Sequence, residues 1–290
     1  MKKLYETWPH NFGAIENQDF QKSKIVIIPV SYDATSSYKS GTKEGGEEII
    51  SASCFLDEIE PDETGVNLLD FKATDIYTLD KVIPTCNSAE EAIEGVEQAI
   101  ENEILKYKKI PLMLGGEHSI TLGAVRALKK NYKDLSVLHF DAHTDLMDQW
   151  EGSKFSHACV IRRIREEKIK TVSIGIRNFN PEVRDYIKKE RPAIFPAPGL
   201  PPVEKARKNL TKNVYLTFDV DAFDPSIMPS TGTPEPGGLY WHETINFIEK
   251  ISKQVNIVGA DVVELMPIPG LHAPNFMAAK LVYNIIKNIL

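Results

Sequence analysis

The sequence predicts an α/β fold: a mostly parallel sheet with helices on both faces. Short runs rich in β-branched and aliphatic residues alternate with helical stretches along the chain. The strongest polar motifs each follow directly on such a run, where ligand-binding residues lie at the carboxyl edge of an open α/β sheet. A length of 290 residues suits a single sheet of this kind, so one domain over 1–290 is expected.

Taken in order, Lys24 to Val30 is a short β-branched run and reads as the first strand. Ser31 to Gly46 is a long loop rich in Ser, Thr, Tyr and Gly, and Glu47 to Leu56 reads as helix. A strand is placed at Val66 to Asp70 within an otherwise mixed segment. Ser88 to Lys108 is an amphipathic helix opened by Ser88-Ala89-Glu90-Glu91, the pattern of a capping box. The strand Ile110 to Leu114 runs into Gly115-Gly116-Glu117-His118-Ser119, and Ile120 to Asn131 is helix. Next come a strand at Ser136 to Phe140, a helix at Phe155 to Glu167, a strand at Thr171 to Ile176 and a helix at Pro181 to Glu190. Proline-rich Ala193 to Pro202 reads as a surface connection. Val214 to Phe218 is strand, His242 to Gln254 helix, Ile257 to Val263 strand and Ala273 to Leu290 helix.

Composition narrows the function. A chain 42% hydrophobic and 26% charged can hold a core without disulfides. Net charge is -7, from 41 acids and 34 bases, with no basic stripe, which argues against nucleic acid and anionic membranes as partners. Cys54, Cys86 and Cys159 are too few and too scattered for a disulfide framework or a zinc ribbon. The start of the chain lacks the apolar run of a signal peptide, and no run reaches membrane-spanning length. A soluble, cytoplasmic protein is expected.

The chemistry collects at four strand ends. Asp141, His143 and Asp145 stand at alternate positions after a strand, where an extended backbone would turn them the same way. His118, the pair Asp219 and Asp221, and Glu264 follow three other strands. Singly, each has a plain structural reading, as a helix cap, a turn or a surface ion pair. Jointly, so many acids in one crevice would repel one another without cations. A two-metal site is the reading favoured, with manganese suited to carboxylates and imidazoles and nickel, iron or zinc as alternatives. Water between two such ions becomes a nucleophile near neutral pH, which points to hydrolysis at carbon or phosphorus.

The stretches Gly115 to Ser119, His139 to Asp145, Phe218 to Pro225 and Gly232 to Gly238 together resemble the ureohydrolase family of arginases and agmatinases. The likeness runs from about Ile25 to the C-terminus and is strongest to prokaryotic agmatinases. It implies a three-layer α/β/α sandwich on a sheet of about eight strands, and a homo-oligomer, trimer or hexamer. It implies two manganese ions per subunit, one held by His118, Asp141, Asp145 and Asp219, the other by Asp141, His143, Asp219 and Asp221. A hydroxide between them would attack the guanidinium carbon of a small cationic guanidino substrate. By the same resemblance Asp145 orients that hydroxide and passes its proton to the leaving amine, His157 shuttles protons or orients substrate, and Glu264 pairs with the guanidinium. His139 reads as a histidine supporting the set rather than a ligand, and His10, His242 and His272 have no site role.

A planar, poorly electrophilic guanidinium needs both a strong nucleophile and a carboxylate to fix its plane. For the tail of the substrate, Leu146 to Gly152 offers Asp148, Trp150 and Glu151, acids and an aromatic ring that suit an amine. Agmatine, yielding putrescine and urea in polyamine biosynthesis, is the substrate expected. N1-aminopropylagmatine is the alternative, followed by arginine and other guanidino compounds. A non-catalytic metal-binding relative and a two-metal phosphoesterase are the readings from other classes.

Overall fold

The computed structural model describes residues 9–56 and 71–290. The strand expected at Val66 to Asp70 lies outside them. The described strands are β1 (Ile25–Pro29), β2 (Ile76–Thr78), β3 (Ile110–Leu114), β4 (Leu135–Phe140), β5 (Lys170–Ile176), β6 (Ala193–Pro196), β7 (Asn213–Asp219) and β8 (Asn256–Val263). They form one 8-stranded sheet in the order β2-β1-β3-β8-β7-β4-β5-β6. Every adjacent pair is parallel.

Both faces of the sheet are covered, which makes the three layers expected. On one face lie α1 (Gly45–Ser53), α6 (Val203–Arg207), α7 (Trp241–Ser252) and α8 (Ala273–Ile289). On the other lie α2 (Ala89–Glu103), α3 (Thr121–Asn131), α4 (Val160–Glu166) and α5 (Arg184–Glu190). Alternate strand residues feed the two cores. Ile25 and Ile27 of β1 join the first, while Val26 and Ile28 join the second. That double burial explains why these strands are apolar throughout. Among the described residues no helix is long and apolar enough to cross a membrane, and the three cysteines are free.

Local chemistry accounts for the departures from expectation. Ser88 does cap α2, its hydroxyl accepting from Glu91 N–H at 3.1 Å, a contact worth ~1 kcal/mol. The Glu91 carboxylate does not complete the box but accepts from Asn87. The helix expected over Phe155 to Glu167 is shorter, a 3-10 turn at His157–Cys159 followed by α4. The expected surface connection at Ala193 to Pro202 begins with β6, an edge strand, where a terminal proline leaves no central ladder donor missing. β2, the opposite edge, has only 3 residues and too little pattern to read.

Candidate metal centre

The four strand ends singled out by sequence belong to four neighbouring strands, β3, β8, β7 and β4, at the middle of the sheet. Their carboxyl ends therefore deliver His118, Glu264, Asp219 with Asp221, and Asp141 to Asp145 to one crevice. The turn after β3 is built for close approach. Gly115 and Gly116 have φ of 82° and 75°, and a Cβ on Gly115 would lie 2.3 Å from the Gly46 nitrogen.

His118 Nδ1 stands 3.1 Å from Asp141 Oδ2 and 3.3 Å from both Asp145 Oδ2 and Asp219 Oδ2. Beside this group, His143 Nδ1 lies 2.9 Å from Asp221 Oδ2 and 3.5 Å from Asp141 Oδ1. Asp141 belongs to both groups. Asp219 links them as well, since its Oδ1 accepts from the Asp221 N–H at 2.8 Å. Asp145, expected on extended backbone, instead takes φ of 49°, and Glu264 takes φ of 64°. Such left-handed geometry in non-glycine residues costs free energy and collects at functional sites.

The protons on His118 are set by a buried network. Thr217 and Asp261 are Cα partners across β7 and β8, and the Thr217 hydroxyl lies 2.6 Å from Asp261 Oδ1. A carboxylate can only accept, so Thr217 donates to it and must accept from His118 Nε2, at 2.8 Å. Tyr215 and Thr121 hydroxyls also donate to Asp261. With Nε2 committed as donor, Nδ1 is the atom available as a ligand, and it is buried without a hydrogen-bond partner. Outer partners of this kind fix the tautomer of metal-binding imidazoles. Asp261→Asn is expected to weaken metal binding at the His118 position by about tenfold to a hundredfold. Calorimetric titration with manganese checks this, and an unchanged isotherm would remove Asp261 from the site.

Electrostatics fit cations here. Burial pushes Asp219 well above the usual carboxylate range, and the charges of Asp221 and Asp141 push it further. Burial raises Asp221 too, again with Asp141 adding to it. Glu264 is raised well above its usual value by burial and then by Glu117. Burial opposes a charge on His143, but Asp221 and Asp141 outweigh it and push the ring up to about 12. Oxygen and imidazole donors of His118, Asp141 and Asp145, with His139, fall within 4.8 Å of one another, as do those of Asp141, His143 and Asp221. Unpartnered Nδ1, converging carboxylates and mutual repulsion together fit two divalent ions, which these two groups, with Asp141 common to both, would hold. His139 is spoken for: its Nε2 lies 2.7 Å from Asp141 Oδ2 and its Nδ1 3.0 Å from the Ser173 hydroxyl. It supports Asp141, as expected.

A pocket of about 230 Å³ opens over this cluster and includes Glu264, His157, Met147 and Trp150 on its wall. The chain matches the model of the arginase family over residues 23–287. It belongs to the arginase family. It is 36% identical over 279 residues to the "N(1)-aminopropylagmatine ureohydrolase" of Thermus thermophilus, covering 92% of this chain and 90% of that one. It is 34% identical over 257 residues to the "Agmatinase" of Bacillus cereus, covering 86% of each. The agmatine ureohydrolase of Thermoplasma volcanium superimposes with a TM-score of 0.81 at 30% identity, over 99% of this chain and 95% of that one. The arginase-family ureohydrolases are hydrolases acting on guanidino compounds, and this chain is one of them.

Set against that membership, the structure brings together all six candidate ligands, His118, Asp141, His143, Asp145, Asp219 and Asp221, and adds His157, Trp150 and Glu264 to the same crevice. It does not bring Asp148 or Glu151 there. Asp148 turns to the Arg163 guanidinium at 2.9 Å, which with Arg162 holds it below its usual value, and Glu151 is exposed. Neither lines the pocket. Sequence reasoning missed others. Glu117 is fully buried and accepts from both the N–H and the hydroxyl of Thr35. That hydroxyl lies 3.3 Å from His157 Nδ1, and the Ser156 hydroxyl lies 3.2 Å from the same atom. Lys39 and Glu235 also reach the pocket, from distant loops. The signal for Glu117 was its place beside His118; for Thr35 there was none.

Proposed function

We propose that this chain hydrolyses the guanidinium group of an amine-tailed substrate, with agmatine first, releasing urea and putrescine at a site loaded with two manganese ions. The observation that carries the reading is Glu264: a buried carboxylate on the wall of the same pocket as the His and Asp cluster. Its Oε1 accepts from the His118 N–H at 2.7 Å, and its own N–H is tied to Gly116. A carboxylate so fixed and so desolvated favours a planar cation that returns charge and paired donors.

Two divalent ions held by His118, Asp141, Asp145, Asp219, His143 and Asp221 would acidify water and stabilise charge growing at the attacked carbon. The rest falls to side chains. Glu264 holds the guanidinium plane against the cluster, so that its carbon faces the nucleophile. Asp145, within 3.3 Å of His118 Nδ1, lies inside the cluster, takes up the proton lost by the attacking water and passes it to the leaving amine nitrogen. His157 has Nδ1 engaged by the Thr35 and Ser156 hydroxyls, while no described protein group reaches Nε2. That nitrogen is left to exchange protons with the substrate or solvent in the pocket.

A second substrate has specific support. The relative from Thermus thermophilus and one from Synechocystis, 33% identical over 283 residues, are both named N(1)-aminopropylagmatine ureohydrolases, and each matches 92% of this chain. The longer amine needs the same chemistry and a longer channel. Urea release by manganese-loaded protein, with agmatine, N1-aminopropylagmatine and arginine at equal concentration, decides the matter. At least tenfold faster turnover of one amine-tailed compound than of arginine is expected. Equal or faster turnover of arginine would sink the amine-tail reading.

A further inference from the structure

We infer that Glu235 is the carboxylate that receives the ammonium at the far end of the substrate, a subsite that rests on the guanidino-hydrolase reading above. Of the carboxylates on the pocket wall, Asp145, Asp219 and Asp221 belong to the cluster and Glu264 to the guanidinium. Among the described lining residues, Glu235 is the acid left over. It sits in Gly232-Thr233-Pro234-Glu235-Pro236-Gly237-Gly238, whose backbone is fixed to the site. Arg177 Nη2 donates to the carbonyls of both Glu235, at 2.6 Å, and Asp221, at 2.7 Å. One guanidinium therefore ties the loop to a candidate metal ligand. At the end of the loop, the Asp224 carboxylate accepts from the N–H groups of Gly237 and Gly238.

The side chain is fixed as well. Asn178 Nδ2 donates to Glu235 Oε1 at 2.6 Å, and no described donor reaches Oε2. With its side chain 32% exposed, Glu235 is reachable by a ligand yet partly shielded from water. Its distance from the cluster suits a short tail. Oε1 lies 3.7 Å from His143 Nε2, the side of the ring opposite the Nδ1 that faces Asp221. Glu235 is thus displaced outward from the cluster by the breadth of one imidazole, a span that a few methylenes cover. A charge-assisted hydrogen bond to a preset carboxylate loses little entropy on forming.

Two rival roles are weaker. At 3.7 Å, Glu235 is too far from His143 to hydrogen-bond it, and Asn178 already occupies the facing oxygen. Lys39, also on the pocket wall, would suit a carboxylate tail instead. Its side chain is exposed and lies over the Tyr38 ring, with Nζ 5.3 Å from the centroid. Ordering an exposed lysine costs side-chain entropy that the pinned Glu235 does not incur.

The test compares agmatine with pentylguanidine, which replaces the ammonium by a methyl group, on manganese-loaded wild type and Glu235→Gln. Wild type is expected to prefer agmatine by about tenfold to a hundredfold in kcat/KM, and the variant to lose that preference, mainly through KM. A loss common to both compounds, with less manganese retained, would overturn the inference and make Glu235 a support for His143. Equal use of the two compounds by wild type would also overturn it, while leaving the hydrolase reading intact. Should neither compound yield urea, that reading fails, and calorimetry with the same two ligands judges the subsite alone. Tighter, Glu235-dependent binding of agmatine would uphold it, and equal binding would end it.

Discussion

Asp141→Asn is expected to cut urea release by about a thousandfold or more and to leave less than half of the manganese of wild type. No other carboxylate in the crevice meets three imidazoles. Its oxygens lie 2.7 Å from His139 Nε2, 3.1 Å from His118 Nδ1 and 3.5 Å from His143 Nδ1. Burial alone would raise its pKa, but those three rings outweigh burial and hold it well below the usual range. An asparagine keeps the shape and removes that charge. It also turns an NH2 group toward one of the histidines, where His139 is already a donor. Both ion positions share the loss. Asp148→Asn is the matched control: its side chain is 60% exposed and paired with Arg163, so activity within about twofold of wild type is expected. Metal analysis and urea assays on the two variants check this. A comparable fall in both would mean that proximity to Asp141 along the chain, rather than place in the crevice, decides function.

That contrast shows what one sequence can and cannot reveal. Asp141, His143 and Asp145 are legible because ligands at alternate positions after an apolar run declare themselves within one short stretch. Asp219 and Asp221 repeat that spacing after another strand, whereas His118 and Glu264 stand singly and are marked only by following apolar runs and by the family resemblance. That these four strands are neighbours depends on sheet order, to which no local pattern refers. Asp148 and Glu151 mislead because the chain turns at Asp145, whose φ of 49° ends the extended run. Beyond it Met147 N–H bonds to the Ala158 carbonyl, and the segment keeps Met147 and Trp150 on the pocket wall while Asp148 and Glu151 do not line it. Glu235 and Asn178 meet across 57 residues and Thr35 and His157 across 122, so their pairing exists only once the sheet is assembled. β6 was hidden for a different reason. An edge strand needs less apolar pattern, and its proline reads locally as a loop.

Stripping the ions is expected to lower the melting temperature by on the order of 10 °C at neutral pH, and the gap between loaded and stripped protein should widen from pH 6 to pH 9. In the stripped protein, burial works against a charge on His143, yet Asp221 and Asp141 push it up to about 12. A histidine raised in the fold stabilises it fully below about pH 6.5, and that contribution is lost as pH climbs toward 12. Asp219, Asp221 and Glu264, raised chiefly by burial, act with the same sign. The fold binds more protons than the unfolded chain above about pH 4, so its stability declines as pH rises. Asp141 acts oppositely, but its contribution is complete well below neutrality. Divalent ions take the place of those protons, so loading releases protons and affinity rises with pH. Each proton displaced changes the affinity by about tenfold per pH unit in the range where the group stays protonated in the stripped protein. Thermal unfolding with and without chelator across that range, together with manganese titrations in buffers of different ionisation enthalpy, measures both effects. A gap that stays constant or narrows with pH, or binding without proton release, would mean that the cluster does not hold the ions through His118 and His143.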